Sequence, residues 1–376
     1  MKSELDRIIP AGSIQINQKV YDLKRKGVDV TVLSLGESFF EIPLFSFAAL
    51  DYNKGYHYSD TRGLPGLRDK ICTYYKNHYG VESNKESNIL ISAGSKVLVY
   101  MTIYSLIQKG DEVIVHEPYW VSYPEQIKLC HGTPVLLSFD TKISEFKKHI
   151  TKKTKLIILN NPNNSAGSVY SKTDLLELIE IAKDNNLHLL IDEAYSDFIL
   201  DNSFTSIGSI DPEFSYCIII NSLSKNMGMS GWRIGYVISN PEVINNIEKM
   251  NQHLITCAPT LLMQYCEKYF EDILKHTLPQ VREVVEKRER IQKYMDLVAL
   301  KHLPGSSTFY FFIDISHSGL ISTDFALQLL NLYNIAVVPG SFYGKSTEFF
   351  VRVGIGAEPD ERIKDALKVI KYLGNL

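Results

Sequence analysis

Ser222-Leu223-Ser224-Lys225-Asn226-Met227-Gly228-Met229-Ser230-Gly231-Trp232-Arg233-Ile234-Gly235 follows an apolar, β-branched run, Tyr216-Cys217-Ile218-Ile219-Ile220. The run predicts a buried strand, and the small residues after it predict a turn that carries Lys225 beyond the strand's carboxyl end. A lysine in that place costs desolvation free energy unless the protein uses it. Burial lowers an ammonium pKa and frees a nucleophilic amine, which is what a Schiff-base lysine needs. Arg233, eight positions on, offers a planar and permanently charged fork suited to a phosphate.

Together the two side chains fit an aldehyde cofactor that carries a phosphate, as pyridoxal phosphate does. The plainer alternative is that Lys225 is one more solvated charge among 40 lysines and arginines. The flanking Gly231-Trp232-Arg233-Ile234-Gly235 weighs against it, because the whole string resembles the lysine motif of class I aminotransferases, a family of fold-type I pyridoxal-phosphate enzymes. The resemblance implies that Lys225 holds the cofactor as a Schiff base and that Ser222 and Arg233 bind its phosphate.

Bulk properties are consistent with a large soluble protein. The chain has 376 residues, enough for two or three domains, and 45% of them are apolar. Net charge is −3 with both signs interspersed, so neither nucleic acid nor an anionic membrane is an expected partner. The first residues, Met1-Lys2-Ser3-Glu4-Leu5-Asp6-Arg7, lack the apolar core of a secretory signal, and no apolar run is long enough to span a bilayer. Cys72, Cys130, Cys217, Cys257 and Cys266 are scattered and form no C-x-x-C pair, which argues for a reducing compartment and against a zinc site. A cytoplasmic location is the expectation.

Short runs apolar on both faces recur at residues 88–92, 112–116, 155–160, 187–192, 216–220 and 234–238, with helical spacing over 96–108 and 172–185. This alternation predicts an α/β fold with a mainly parallel sheet flanked by helices, seven-stranded by resemblance. Ligands in such sheets bind beyond the carboxyl ends of the strands. Residues 241–300 read as mostly helical, with breaks at Pro259 and Pro279. Strands at 309–313, 335–338 and 349–353 with helices at 324–332 and 360–373 predict a smaller α+β domain, against which a helix at 14–25 packs. The expected division is a large domain at 45–280 and a small one from 1–44 and 281–376.

Polar residues after the strand-like runs are the remaining candidates. Asp192, ending Leu190-Ile191-Asp192, reads as a helix cap or ion-pair partner, or else as the carboxylate that keeps a pyridinium nitrogen protonated. Tyr195 reads as a packed aromatic or as a donor to a ring hydroxyl. The resemblance implies the cofactor role for both. Gly94, Ser95 and Lys96 join a strand to a helix, either as a plain cap or as a phosphate cradle, the role that the resemblance implies. Lys96 is also the candidate for the distal carboxylate of an acidic substrate, with Ser13 as a further distal contact.

Trp120 reads as core or as the aromatic that stacks on the cofactor. Asn164 matches a family asparagine that contacts the ring hydroxyl and the substrate carboxylate. The family's Asn-Pro-Thr-Gly is Asn164-Ser165-Ala166-Gly167 in this chain, and the missing proline predicts a looser loop. Arg352, within an apolar strand, needs an anion, supplied by an ion pair or by the substrate α-carboxylate. The resemblance implies the substrate, assisted by the backbone of Gly36. It also implies that Tyr58 reaches the phosphate of a neighbouring subunit, hence a homodimer. The expected reaction is ping-pong transfer of an amino group between an L-amino acid, acidic or aromatic, and a 2-oxo acid. β-C–S lyases and related lyases share the fold and motifs and are the alternative.

Overall fold

Seven of the chain's apolar segments pair into one sheet in the computed structural model, which describes residues 4–201 and 203–373. The strands are β1 (Ile89–Ser92), β2 (Glu112–His116), β3 (Thr133–Leu137), β4 (Thr154–Asn160), β5 (His188–Asp192), β6 (Cys217–Ser222) and β7 (Gly235–Ile238). Their spatial order is β1-β7-β6-β5-β4-β2-β3. Only β7 runs against its neighbours, and every other pairing is parallel.

Successive side chains go to opposite faces, and both faces are buried. Ile157, Leu189, Ile191 and Ile219 pack on one side with Leu67 and Ile71 of the helix Pro65–Tyr79 and Leu175 and Leu178 of the helix Lys172–Asn185. Ile158, Leu190, Ile218 and Ile220 pack on the other with Leu98 of the helix Ser95–Leu106, Ile127 of the helix Ser122–Leu129 and Ile244 of the helix Pro241–Leu254. Apolar burial on both faces is why these strands read as unbroken runs rather than alternating ones.

Several expectations change. The strand β3 was not among the predicted runs: it is an edge strand, mostly half-exposed, and it contains Pro134, so it lacks the buried-strand pattern. The single strand expected at 335–338 is two. Ile335–Ala336 pairs with Thr31–Val32, whereas Val338–Pro339 joins Phe350–Gly354 and Tyr310–Asp314 in a three-stranded antiparallel sheet. Pro259 does precede a new helix, Thr260–Lys268, but Pro279 breaks nothing and lies inside the helix Phe270–Leu297. Proline removes one backbone donor and crowds the preceding turn. The buried stripe Ile273, Thr277, Val281, Val285, Arg288 and Ile291 continues past it, and that packing offsets the local cost. The helix Gly12–Arg25 lays Val20 against Leu330 and Ala336, as anticipated.

The register brings the polar strand ends together. Asn160 pairs with Asp192, Asp192 with Ile220, and Gly235 with both Ser222 and Ser92. Gly235 is required there, because a Cβ would lie 2.2 Å from the Ser95 nitrogen. The outer edge of β1 is also engaged, with the Ile91 N–H donating to the Arg62 carbonyl at 2.9 Å. Gly235→Ala is expected to displace the start of the helix Ser95–Leu106, with an overpacking cost of about 1–3 kcal/mol. A lower urea midpoint by circular dichroism checks this; an unchanged midpoint contradicts it.

Candidate active site

A cavity of about 290 Å³ opens at the carboxyl end of the large sheet. Gly36, Ser95, Lys96, Trp120, Asn164, Asp192, Tyr195, Ser222, Lys225, Arg233 and Arg352 all line it, together with Ser13 and Ser224. Gly94 stands beside it as the cap of the helix Ser95–Leu106. Tyr58 does not join this group: it is 85% exposed and lines a separate groove with Asp51, Lys54 and Gln264.

Lys225 follows β6, and its Nζ donates to the Gly36 carbonyl at 2.6 Å and sits 5.4 Å from the centre of the Tyr195 ring. Desolvation lowers its pKa to about 8, and the charges of Arg352 and Arg233 act in the same direction against the pull of Glu37 and Asp192. About half of the amine is therefore neutral near pH 8, well below the ordinary lysine range. Asp192, at the end of β5, is buried. Its Oδ2 accepts from the Tyr123 hydroxyl at 2.7 Å and its Oδ1 from the Ala194 N–H at 3.1 Å. Desolvation raises its pKa, and these hydrogen bonds hold the rise in check.

At one end of the cavity Arg352 is 4% exposed. It donates to Asn164 Oδ1 at 3.2 Å and to the Ser34 carbonyl at 3.0 Å, and its guanidinium lies 4.5 Å and 5.0 Å from the ring centres of Tyr310 and Tyr343. Its Nε has no partner. Asn164 Nδ2 donates to the Tyr195 hydroxyl at 3.1 Å, which lies 2.9 Å from that of Tyr310. Hydrogen bonds tie down the loop bearing Asn164, whose family proline is missing. Asn163 Oδ1 accepts from the N–H groups of Ser165 and Ala166, Arg288 donates to the Ala166 carbonyl, and Ser307 to that of Gly167.

At the other end, Gly94 has φ 91° and no side chain caps the helix Ser95–Leu106, so its first N–H groups face outward. A Cβ on Gly94 would meet Arg233 Nη2 at 2.4 Å, so only glycine lets the guanidinium approach this turn. Arg233 is itself left-handed, at φ 55°, and its Nη1 is held by the Ser230 carbonyl at 2.6 Å. Lys96 Nζ lies 5.1 Å from the Trp120 ring centre, and Trp120 packs edge-on against Tyr123. Among the described residues, Lys96, Lys225, Arg233 and Arg352 have no carboxylate at ion-pair distance. A free helix N-terminus with an arginine, a neutralisable amine over a tyrosine, and a second unpaired arginine fit a phosphate-bearing aldehyde and a carboxylate ligand.

Tyr123, Tyr310, Tyr343, Asn160 and Ser34 escaped the sequence reading although each touches a cavity residue. Asn160 Nδ2 donates to the Asp192 carbonyl at 2.7 Å, and its Oδ1 accepts from the Asn164 N–H. Tyr123 had one signal, its place three residues after Trp120. Tyr310 and Tyr343 had none among 22 tyrosines.

The family described as aminotransferase class I and II matches residues 32–370. An aspartate aminotransferase of Bacillus sp. (strain YM-2) is 33% identical, covering 92% of each chain. The aromatic-amino-acid aminotransferase 2 of Thermococcus litoralis is 29% identical over 94% of this chain and 95% of its own. Among solved structures, the aspartate aminotransferase of Thermus thermophilus with maleate superposes with a TM-score of 0.88 at 26% identity, covering 99% of this chain and 100% of that one.

The depressed pKa of Lys225 predicts its reactivity. In protein freed of cofactor, labelling of Lys225 by an acylating reagent is expected to rise with pH around a midpoint near 8 and then level off, while exposed lysines keep rising toward their ordinary range. Peptide mass mapping reads both curves, and a Lys225 profile parallel to the surface lysines contradicts the assignment.

Proposed function

The chain belongs to the class I and II aminotransferases, pyridoxal-phosphate-dependent enzymes, and we propose that it moves an amino group between an L-amino acid and a 2-oxo acid with the cofactor held on Lys225. The observation that carries this assignment is the Lys225 amine, shifted to about 8 in a cavity that also holds the unpaired Arg352. The phosphate would be bound by the N–H groups of Gly94 and Ser95, the Ser222 hydroxyl, Arg233 and Lys96 at the helix N-terminus. Asp192 would face the ring nitrogen, Tyr195 and Asn164 the ring hydroxyl, and Trp120 the ring face. Bound there, pyridoxal phosphate supplies an electron sink for charge developing at the substrate Cα.

The chain's own residues do the rest. Arg352 binds the substrate α-carboxylate through two N–H donors, with Asn164 and the Gly36 backbone completing the contact. Lys225 Nζ, neutral when freed, takes the Cα proton and returns it one position away. Asp192, buried and held by Tyr123, keeps a proton on the ring nitrogen opposite. Donor and acceptor would share the single Arg352 clamp, so the donor's 2-oxo acid leaves before the acceptor enters, a ping-pong order.

An acidic amino acid, aspartate or glutamate, is the proposed donor. Lys96 and Ser13 at the cavity wall support it, as do the relatives named aspartate aminotransferase. The aromatic relative supports an aromatic amino acid as the second reading. The lyase alternative is not favoured, since the relatives are aminotransferases. The working unit would be a homodimer, with Tyr58 of each protomer reaching the cavity of the other; its exposure outside its own cavity supports this. The domain division at 45–280 against 1–44 and 281–376 is supported by the core around the three-stranded sheet, which draws mainly on residues 281–373 and meets the large domain at Tyr195 and Phe198. No helix among the described residues is long and apolar enough to cross a membrane, and the five free cysteines favour the cytoplasm.

Lys225→Ala is expected to reduce transamination by at least about 100-fold, the low end for a lost proton-transfer group. Retention of full turnover in a coupled 2-oxo acid assay would refute the assignment. Lys96→Ala is expected to lower kcat/KM for aspartate about tenfold relative to an aromatic donor, the size of one solvent-screened charged hydrogen bond. Unchanged preference in steady-state kinetics removes the case for an acidic substrate.

A further inference from the structure

Behind Lys225, on the side away from the cavity, a polar network ties its loop to the rest of the fold. Asn226 follows Lys225 directly, and its Nδ2 donates to Asp197 Oδ2 at 2.7 Å. The other oxygen, Asp197 Oδ1, accepts from the hydroxyls of Tyr74 at 2.6 Å and Tyr79 at 2.5 Å, both on the helix Pro65–Tyr79. Four residues before Lys225, Asn221 Nδ2 donates to the Tyr75 hydroxyl at 2.7 Å, and its Oδ1 accepts from the Ser222 N–H at 2.7 Å. The chain is thus fastened to the same helix before and after Lys225.

We propose that Asp197 and Asn226 form a positioning clamp that sets the reach of Lys225 toward Asp192 and Tyr195, an inference that rests on the role of Lys225 proposed above. Asp197 stands two residues after Tyr195 and five after Asp192, so one short segment carries both ring-facing groups and the clamp's carboxylate. Asn226 stands next to the reacting amine on the loop after the adjacent strand, β6. The clamp therefore fixes the spacing between the two loops that must meet across the cofactor. Asp197 has no cation at ion-pair distance among the described residues, and its bonds are directional rather than diffuse attractions. Asp197 Oδ2 accepts, so it is the N–H₂ end of the Asn226 amide that faces Asp197. The opposite atom, Asn226 Oδ1, is buried without a partner, a cost accepted in holding that orientation.

The test compares cofactor-loaded Asp197→Ala, Asn226→Ala and the exchanged pair Asp197→Asn with Asn226→Asp. In the exchanged pair the amide donates from the other side, and Tyr74 and Tyr79 keep an acceptor. The single variants are expected to lose about ten- to a hundredfold in kcat with KM within about twofold, as for a misplaced reacting group. They are also expected to shift the pH midpoint of the enzyme's visible absorption band, and the exchanged pair to recover most of both. The clamp is overturned if kcat and the absorption midpoint stay at wild-type values in Asp197→Ala. It is equally overturned if a folded exchanged pair recovers neither, or if activity falls only in step with the folded fraction measured by circular dichroism. None of these outcomes bears on the role of Lys225, which Lys225→Ala tests separately.

Discussion

Arg352 and Lys225 share one positive field and answer it in opposite ways. Arg352, buried against two tyrosine rings, presents a guanidinium whose hydrogen-bond partners among the described residues are neutral oxygens. A primary amine can give way, and the Lys225 pKa falls to about 8. Desolvation is the main cause of that fall, and Arg352 and Arg233 add to it against the pull of Glu37 and Asp192. An arriving carboxylate relieves Arg352 and makes the field at Lys225 less positive.

The sheet explains how such a concentration of polar groups is tolerated. Lys96, Trp120, Asn164, Asp192, Ser222 and Lys225 each lie at or beyond the last residue of a large-sheet strand whose preceding residues are largely buried in apolar layers, whereas Arg352 comes from within Phe350–Gly354 of the smaller sheet. The rigid part is continuous, and the polar part begins where the hydrogen-bond ladders end. The reversed strand β7 matters for the same reason. Its amino end, at Gly235, lies level with the carboxyl ends of its neighbours, so Arg233, two residues earlier, enters the same cavity.

Much of this was legible before any coordinates. Runs apolar on both faces announced β4, β5 and β6, and the polar residues following each run proved to line one cavity. What stayed hidden depended on tertiary context. Pro279 sits in a helix because a buried stripe continues on both sides of it, which local propensity cannot register. The strand β3 is too exposed to display the pattern used to find the others. Residues 335–338 read as one strand because periodicity does not reveal a change of partner between two sheets. Tyr123 and Tyr310 carry no motif, since a tyrosine's worth to a neighbour resides in where its hydroxyl ends up. The contacts that Arg288 and Ser307, remote in sequence, make with the loop at Asn164 were likewise invisible to any local pattern.

Both margins of the large sheet are closed to further strands. On one side the Ile91 N–H is already spent on Arg62, and on the other Pro134 interrupts the donors that β3 would offer. Exposed strand margins are templates for uncontrolled growth, and a blocked margin removes the template. Extension of the large sheet's ladder from one molecule to the next is thereby disfavoured at these two points.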